Sequence, residues 1–222
     1  MARTRTDICP RIVAAARARF LSEGVDGASL RAIASDAGTS IGMVYYYFKT
    51  KDDLLFAVVE DIYGRLLDDL TRACDPALPP VERIRGVYRR IGAIDDHESQ
   101  VVRLVIREVL VSSKRLARLL ARFQRGHFPL VLAALADGIA EGTIRADLPP
   151  MMLLPVAIAV GAIPQFMLDH IAPKIPGPRG DALADALVEL LWHGIGPRRS
   201  RTRERVVGSH RRSGTTGSAA KR

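Results

Sequence analysis

At 222 residues, 48% of them hydrophobic and only 5% aromatic, the chain has the make-up of a globular protein with one large domain, or a small one joined to a medium one. Ala, Leu, Arg and Val dominate and alternating β-branched runs are nearly absent, which argues against a sheet and for an all-α fold. The formal charge of +9 points toward nucleic acid, yet after Pro197 nine Lys and Arg residues face Glu204 alone, so residues 1–197 sum to only about +1. Charge alone therefore marks no DNA-binding face.

Cys9 and Cys74 stand far apart, with no CxxC and no Cys/His cluster. That argues against a disulfide framework or a structural zinc site, and for free thiols in a reducing cytoplasm. MARTRTDICPR lacks the apolar stretch of a signal peptide. No metal and no cofactor are expected.

In chain order, a short arm carrying Arg3 and Arg5 precedes a helix that starts between Asp7 and Pro10, since proline suits a first helical turn. Ile12, Val13, Ala15, Ala16 and Phe20 give it an apolar face, and Gly24 is a natural stop. Ser29 is placed to cap a second helix, in which Leu30, Ile33, Ala34 and Ala37 share one side until Gly38 breaks it. Ser40 caps a third, with Val44 and Phe48 inward. Thr50 and Asp53 form a capping box for a long fourth helix running to about Cys74.

The loop DPALPP, 75–80, is the expected domain boundary, because adjacent prolines interrupt a helix. Beyond it, Val81, Ile84, Val87, Tyr88 and Ile91 mark one amphipathic helix, and another covers about Glu98 to Val111. Ser113 is read as the cap of the next, which runs to about Ala140 with an irregularity at Gly126 to Pro129. The stretch 151–168, MMLLPVAIAVGAIPQFML, is nearly long enough to span a membrane. Pro155, Pro164 and Gln165 within it, and its solitary occurrence, favour burial in the protein or in an oligomer interface. A last helix covers Asp181 to His193. From 197 onward Arg, Ser, Gly and Thr cannot bury enough surface to fold, which predicts a disordered basic tail over 197–222.

The two short helices over 30–48 are too short to stand alone and make sense packed on the first. This is the layout of a helix-turn-helix, whose second helix enters the major groove and meets base edges with its early residues. Those residues are Ser40, Ile41, Gly42 and Met43. Gly42 allows close approach, Ser40 can bond phosphate or base, and Ile41 and Met43 suit thymine methyls. Arg31 is the expected guanine or phosphate contact. Tyr45, Tyr46 and Tyr47 point about 100° apart, so at least one packs inward beside Phe48 while others offer hydroxyls to phosphates. Lys49 and Lys51 extend a basic edge, with Lys51 at a helix N-terminus that also favours phosphate.

Residues 11–55 resemble the N-terminal domain of the TetR family of transcriptional regulators. Ile12, Ala15, Ala16, Phe20, Gly24, Ser29, Ile33, Ala34, Gly38, Ser40, Tyr45, Tyr46, Phe48, Lys51 and Leu54 carry the likeness in register. Tyr47, where the family usually has His, and Met43, where a small residue is common, depart from it. The resemblance implies a helix-turn-helix DNA-binding domain over 6–66 and a ligand-binding and dimerisation domain over 75–196. It implies an Ω-shaped homodimer, usually a repressor, and phosphate contacts from Lys51 and one tyrosine. In the family the last two long helices form a four-helix dimer interface, which explains the apolar 151–168 stretch without a membrane.

An effector site is expected among the middle helices, with Tyr88, Arg103, Arg107, Phe123, His127, Phe166 and His170 as the residues that can line it. Apolar surroundings favour a hydrophobic or amphipathic effector. The rival classes are an enzyme and a charge-driven nucleic-acid binder. No P-loop, G-x-S-x-G, HExxH or dinucleotide fingerprint is present, and Glu98 and Glu108 have no partner His at a telling spacing. The Arg-rich tail is what a charge-driven binder would use.

Overall fold

The computed structural model describes residues 7–196; the arm with Arg3 and Arg5 and the stretch 197–222, read above as a disordered tail, lie outside the described residues. Described residues form ten α-helices and no strand: α1 (Ile8–Gly27), α2 (Leu30–Asp36), α3 (Ile41–Tyr47), α4 (Lys51–Ala73), α5 (Pro80–Gly92), α6 (Asp96–Val111), α7 (Ser113–Gln124), α8 (His127–Ala140), α9 (Pro150–Phe166) and α10 (Gly180–Ile195). A π-helical turn, Met167–Ile171, extends α9. The fold is all-α.

The early helices begin where a side chain can satisfy the free N–H groups of a first turn. Ser29 Oγ accepts from the Ala32 N–H and Ser40 Oγ from the Met43 N–H, at 3.5 and 3.3 Å. At α4 the capping box is complete: Asp53 N–H donates to Thr50 Oγ1 at 3.0 Å, and Thr50 N–H to Asp53 Oδ2 at 3.1 Å. Gly24 adopts φ 79°, which kinks α1 where the sequence predicts its end, although helical bonding resumes for one more turn.

Two expectations need correction downstream. The cap of α7 is Ser112, whose Oγ accepts from the Arg115 N–H at 3.3 Å, not Ser113. The helix expected over 113–140 is two helices, α7 and α8, broken at Arg125 and Gly126. The break is tertiary in origin. The Tyr63 hydroxyl of α4 occupies the space that a Cβ at position 126 would fill, so only glycine lets the chain pass there.

Two apolar cores result. The first joins Ile12, Ala16 and Phe20 of α1, Ile33 of α2, Val44 of α3 and Leu54, Leu55 and Val58 of α4. It continues into Val101 and Leu104 of α6 and Leu119 of α7. The second gathers Leu70 of α4, Ile84 and Tyr88 of α5, Leu135 of α8, Ala157 of α9 and Leu187 and Leu191 of α10. Helix α4 belongs to both. The loop at 75–79 separates α4 from α5, but packing does not divide there, because α6 and α7 complete the first core.

The segment Pro150–Ile171 is long and apolar enough to cross a membrane by length and composition. Its inner face, Leu153, Leu154, Ala157, Gly161 and Gln165, is buried. Its outer face leaves Met151, Met152, Val156, Ile163 and Ile171 exposed, together with Leu190 of α10. Exposed apolar side chains in this number on one helix are a feature of surfaces that bind a partner.

Candidate nucleic-acid interface and effector cavity

Helices α2 and α3 are held at a fixed angle by α1. Arg11 Nε donates to the Ala37 carbonyl at 2.9 Å, and its Nη2 reaches the carbonyls of both Ala37 and Gly38, pinning the turn. Arg19 grips Asp36 at the end of α2 with Nε–Oδ2 at 2.6 Å. Gly38 supplies the positive φ, 60°, that the turn requires.

Val44 is fully buried and Phe48 nearly so, which turns the opposite face of α3 outward. Tyr45 and Tyr46 are 51% and 71% exposed, unusually high for aromatic side chains. Tyr47 is half-buried and packs against Phe48, with ring centroids 6.3 Å apart. Arg31, Ser40 and Gly42 are exposed, Met43 is half-buried, and Ile41 is partly buried against the first core. The outward face is thus Arg31, Ser40, Gly42, Tyr45 and Tyr46, with Ile41 and Met43 at its margin.

At Gly42 a Cβ would meet only Ser40 Oγ, at 3.7 Å, an ordinary contact. Nothing inside the protein requires a glycine in this helix, where it costs about 1 kcal/mol relative to alanine. Lys51, the first residue of α4, is not idle: its Nζ donates to the Asp26 carbonyl at 2.9 Å. The same Asp26 receives Arg115 of α7 through its carboxylate.

Arg115 is one residue that the sequence reading missed. Its guanidinium, 9% exposed, bonds Glu108 (2.6 Å), Asp26 (2.6 Å) and Asp52 (3.0 Å). Asp26 is held below the usual carboxylate range by its hydrogen bond from Arg115. Glu98 is likewise paired, bridged with Asp69 by Arg90. The two carboxylates without a partner His are therefore arginine-bound, tying helices together.

An apolar cavity of about 130 Å³ lies between α4, α5, α8 and α9. Leu66, Leu70, Ile84, Val87, Ile158 and the side chains of Tyr88 and His127 are among those facing it. No lining residue is charged. Tyr88 donates its hydroxyl to the Ala157 carbonyl at 2.7 Å. His127 Nδ1 lies 2.8 Å from the Tyr63 hydroxyl, which also accepts from the His127 backbone N–H at 3.2 Å. Burial, helped by the Arg122 charge, lowers the His127 pKa to about 4, so the ring is neutral at neutral pH.

Of the seven candidate effector residues, Tyr88 and His127 line this cavity, and Phe123 packs behind His127 with ring centroids 5.0 Å apart. The other four lie elsewhere. Arg103 and Arg107 border an open groove of about 440 Å³ with Leu21, Gln100 and Leu104. Arg107 also holds the carbonyls of Phe20 and Leu21. Phe166 and His170 pack ring against ring, tilted, with centroids 5.2 Å apart around the end of α9, where Arg103 donates to the His170 carbonyl. Tyr63 and the apolar lining of α4 and α5 escaped the sequence reading, because an apolar residue beside a cavity has the same pattern as one in a solid core.

Residues 12–58 match the family model for bacterial regulatory proteins of the tetR family. Over these residues the chain carries a tetR-family N-terminal domain. It is 27% identical over 135 residues to the HTH-type transcriptional repressor KstR2 of Mycolicibacterium smegmatis, covering 58% of this chain and 63% of that protein. It is 31% identical over 130 residues to the transcriptional regulator BetI of Rhizobium meliloti, covering 54% and 64%. The matches thus span less than two thirds of these relatives' own length. Among solved structures, the regulator FadR of Bacillus subtilis in complex with stearoyl-CoA aligns over 84% of this chain and 98% of its own, with TM-score 0.70 at 21% identity. The ketosteroid transcriptional regulator KstR2 of Mycobacterium tuberculosis covers 89% and 97%, with TM-score 0.63 at 20% identity. At these identities the shared feature is the fold itself, and the likeness extends well past residue 58.

Proposed function

We propose that the chain is a ligand-responsive transcriptional regulator, a cytoplasmic homodimer that represses from a palindromic operator and is released by a small hydrophobic or amphipathic molecule. A DNA-binding unit over 6–66 and a ligand-binding and dimerisation unit over 75–196 divide the work. The observation that carries this reading is helix α4. One end begins at Lys51 beside the outward face of α3, and the other supplies Leu66 and Leu70 to the apolar cavity. A ligand that favours one position of α4 therefore changes the spacing of two recognition helices, provided that it binds the two states unequally.

Arg31, Ser40, Ile41, Gly42, Met43, Tyr45, Tyr46 and Lys51 are the proposed DNA contacts. Tyr88, His127 and Phe123 are the proposed effector contacts. FadR of Bacillus subtilis is seen in complex with stearoyl-CoA and KstR2 is a ketosteroid transcriptional regulator, and an apolar effector here would be in keeping with them. The exposed face of α9 and Leu190 of α10 support a dimer, which would present two helices to the half-sites of a palindrome.

Selection of bound DNA from a random pool tests the reading directly. The full chain should enrich one palindromic sequence, and so should a chain lacking 197–222. Loss of all binding on that deletion would instead favour a charge-driven binder working through its basic tail. Light scattering should report a dimer at micromolar concentration.

A further inference from the structure

The cavity is apolar except at one point. Tyr88 has already given its hydroxyl proton to the Ala157 carbonyl, which leaves His127 as the only lining side chain with hydrogen-bonding capacity to spare for a ligand acceptor. Which nitrogen of His127 carries the proton follows from its neighbours. The Tyr63 oxygen accepts from the His127 backbone N–H. If it also accepted from a protonated Nδ1, its own hydroxyl proton would have no acceptor. If it donates to Nδ1, the one proton left without an acceptor in the protein is that on Nε2, an atom that is not buried, and no buried hydroxyl proton is stranded. The ring is then protonated on Nε2, a nitrogen with no partner inside the protein.

We propose that His127 Nε2–H is the specificity element of the cavity, and that the cavity selects an uncharged apolar molecule bearing a carbonyl oxygen. This rests on reading the cavity as the effector site. A carbonyl matches the single donor. A carboxylate does not, because its charge would be buried without a counter-ion, at a cost of several kcal/mol. The cation whose charge is felt at the ring, Arg122, lies over Tyr63 and is paired with Glu60 through two hydrogen bonds of 2.8 and 2.6 Å. The depressed basicity of His127 agrees: a ring kept neutral offers a donor without inviting an anion.

Tyr63 gives this donor a second role. It sits on α4, so the group that fixes the tautomer of His127 belongs to the helix that begins at Lys51. A ligand carbonyl on Nε2 polarises the imidazole and strengthens the bond from the Tyr63 hydroxyl, favouring the position of α4 in which that bond is made.

Fragment probes of near-equal shape test the proposal on the full chain. An apolar cavity of about 150 Å³ takes up benzene in other proteins, so acetophenone, ethylbenzene and benzoate are apt in size. Acetophenone should bind wild-type protein about tenfold more tightly than ethylbenzene, the worth of one net hydrogen bond. Benzoate should bind more weakly than acetophenone. In His127→Phe the advantage of acetophenone should vanish while ethylbenzene is retained. Nitrogen chemical shifts of the wild-type imidazole, which need no variant, should place the proton on Nε2.

Equal affinity for acetophenone and ethylbenzene, a preference for benzoate, or a proton found on Nδ1 would each overturn the assignment. Should none of the three probes bind while the chain still selects an operator, this cavity proposal fails and the regulator reading stands. Probe binding in the expected order without any operator would leave the cavity chemistry intact and sink the regulator reading instead.

Discussion

Arg115 and Asp26 lie 89 residues apart in the chain and are joined by two hydrogen bonds, Nη2–Oδ1 at 2.6 Å and Nη1–Oδ2 at 3.3 Å. Through this pair the first turn of α7 reaches the segment that leads into the helix-turn-helix. The same guanidinium closes on Glu108, whose side chain is only 4% exposed, while Asp26 is 74% exposed. The two partners therefore matter unequally. Arg115→Met should cost about 3–5 kcal/mol, because Glu108 is left buried with only Arg107 near it, at 3.4 Å. Asp26→Asn should cost less than about 1 kcal/mol, as solvent screens that arm. Urea unfolding distinguishes the two, and similar midpoints for both variants would contradict this ranking.

Gly42 separates stability from binding. With only Ser40 Oγ near its missing Cβ, at an ordinary 3.7 Å, Gly42→Ala should stabilise the fold by up to about 1 kcal/mol through helix propensity. The same methyl faces outward beside Ser40 and should weaken operator binding. Thermal unfolding and DNA titration should move in opposite directions. If both improved, close approach at this position would not be the reason for glycine.

Lys51 sits at the first position of α4, where backbone N–H groups and a positive charge together suit a phosphate. Lys51→Ala should lower operator affinity and flatten its dependence on salt by about one unit of log–log slope, as one phosphate contact is lost. Its bond to the Asp26 carbonyl is exposed, so stability should change little. An unchanged salt slope would show that Lys51 serves only that carbonyl.

His127 makes stability depend on pH in a defined window. Its pKa falls from an ordinary 6.5 to about 4 in the folded protein, chiefly through burial and secondarily through Arg122. Between those values the unfolded chain holds more protons, so stability is complete above the upper value and is lost as pH falls toward the lower. The full loss is about 3 kcal/mol. Tyr63 and Arg122 face the ring, with Glu60 behind, and Glu60 titrates below its ordinary value, under most of this window. His127→Gln should therefore show a shallower decline between about pH 6.5 and 4.5 than wild type. Parallel curves would mean that the ring protonates as readily in the folded protein.

Much of the DNA-binding half was legible in the sequence because its signals are local. Ser29, Ser40, Thr50 and Asp53 cap helices with groups three residues away, and Ile33, Val44 and Leu54 bury themselves at helical spacing on their own short elements. The C-terminal half was only partly legible. Tyr88 and His127 were singled out as uncommon polar or aromatic residues, and they meet at the cavity. Arg103, Arg107, Phe166 and His170 were singled out on the same ground and do not, because which side of a bundle a residue faces depends on partners far away in the chain.

By itself, the sequence determined the all-α class, the helix-turn-helix with its caps and its outward tyrosines, and the apolar character of α9. Each of these depends on hydrogen bonds or periodicity within a few residues. Only the tertiary structure decided that α4 runs through both cores, that α7 and α8 part at Gly126 to admit Tyr63, and that Arg115 binds α7 to Asp26, Asp52 and Glu108. It also decided which histidine lines an apolar cavity. Those outcomes follow from packing between helices tens of residues apart, where volume and charge must match side chains that no local pattern names.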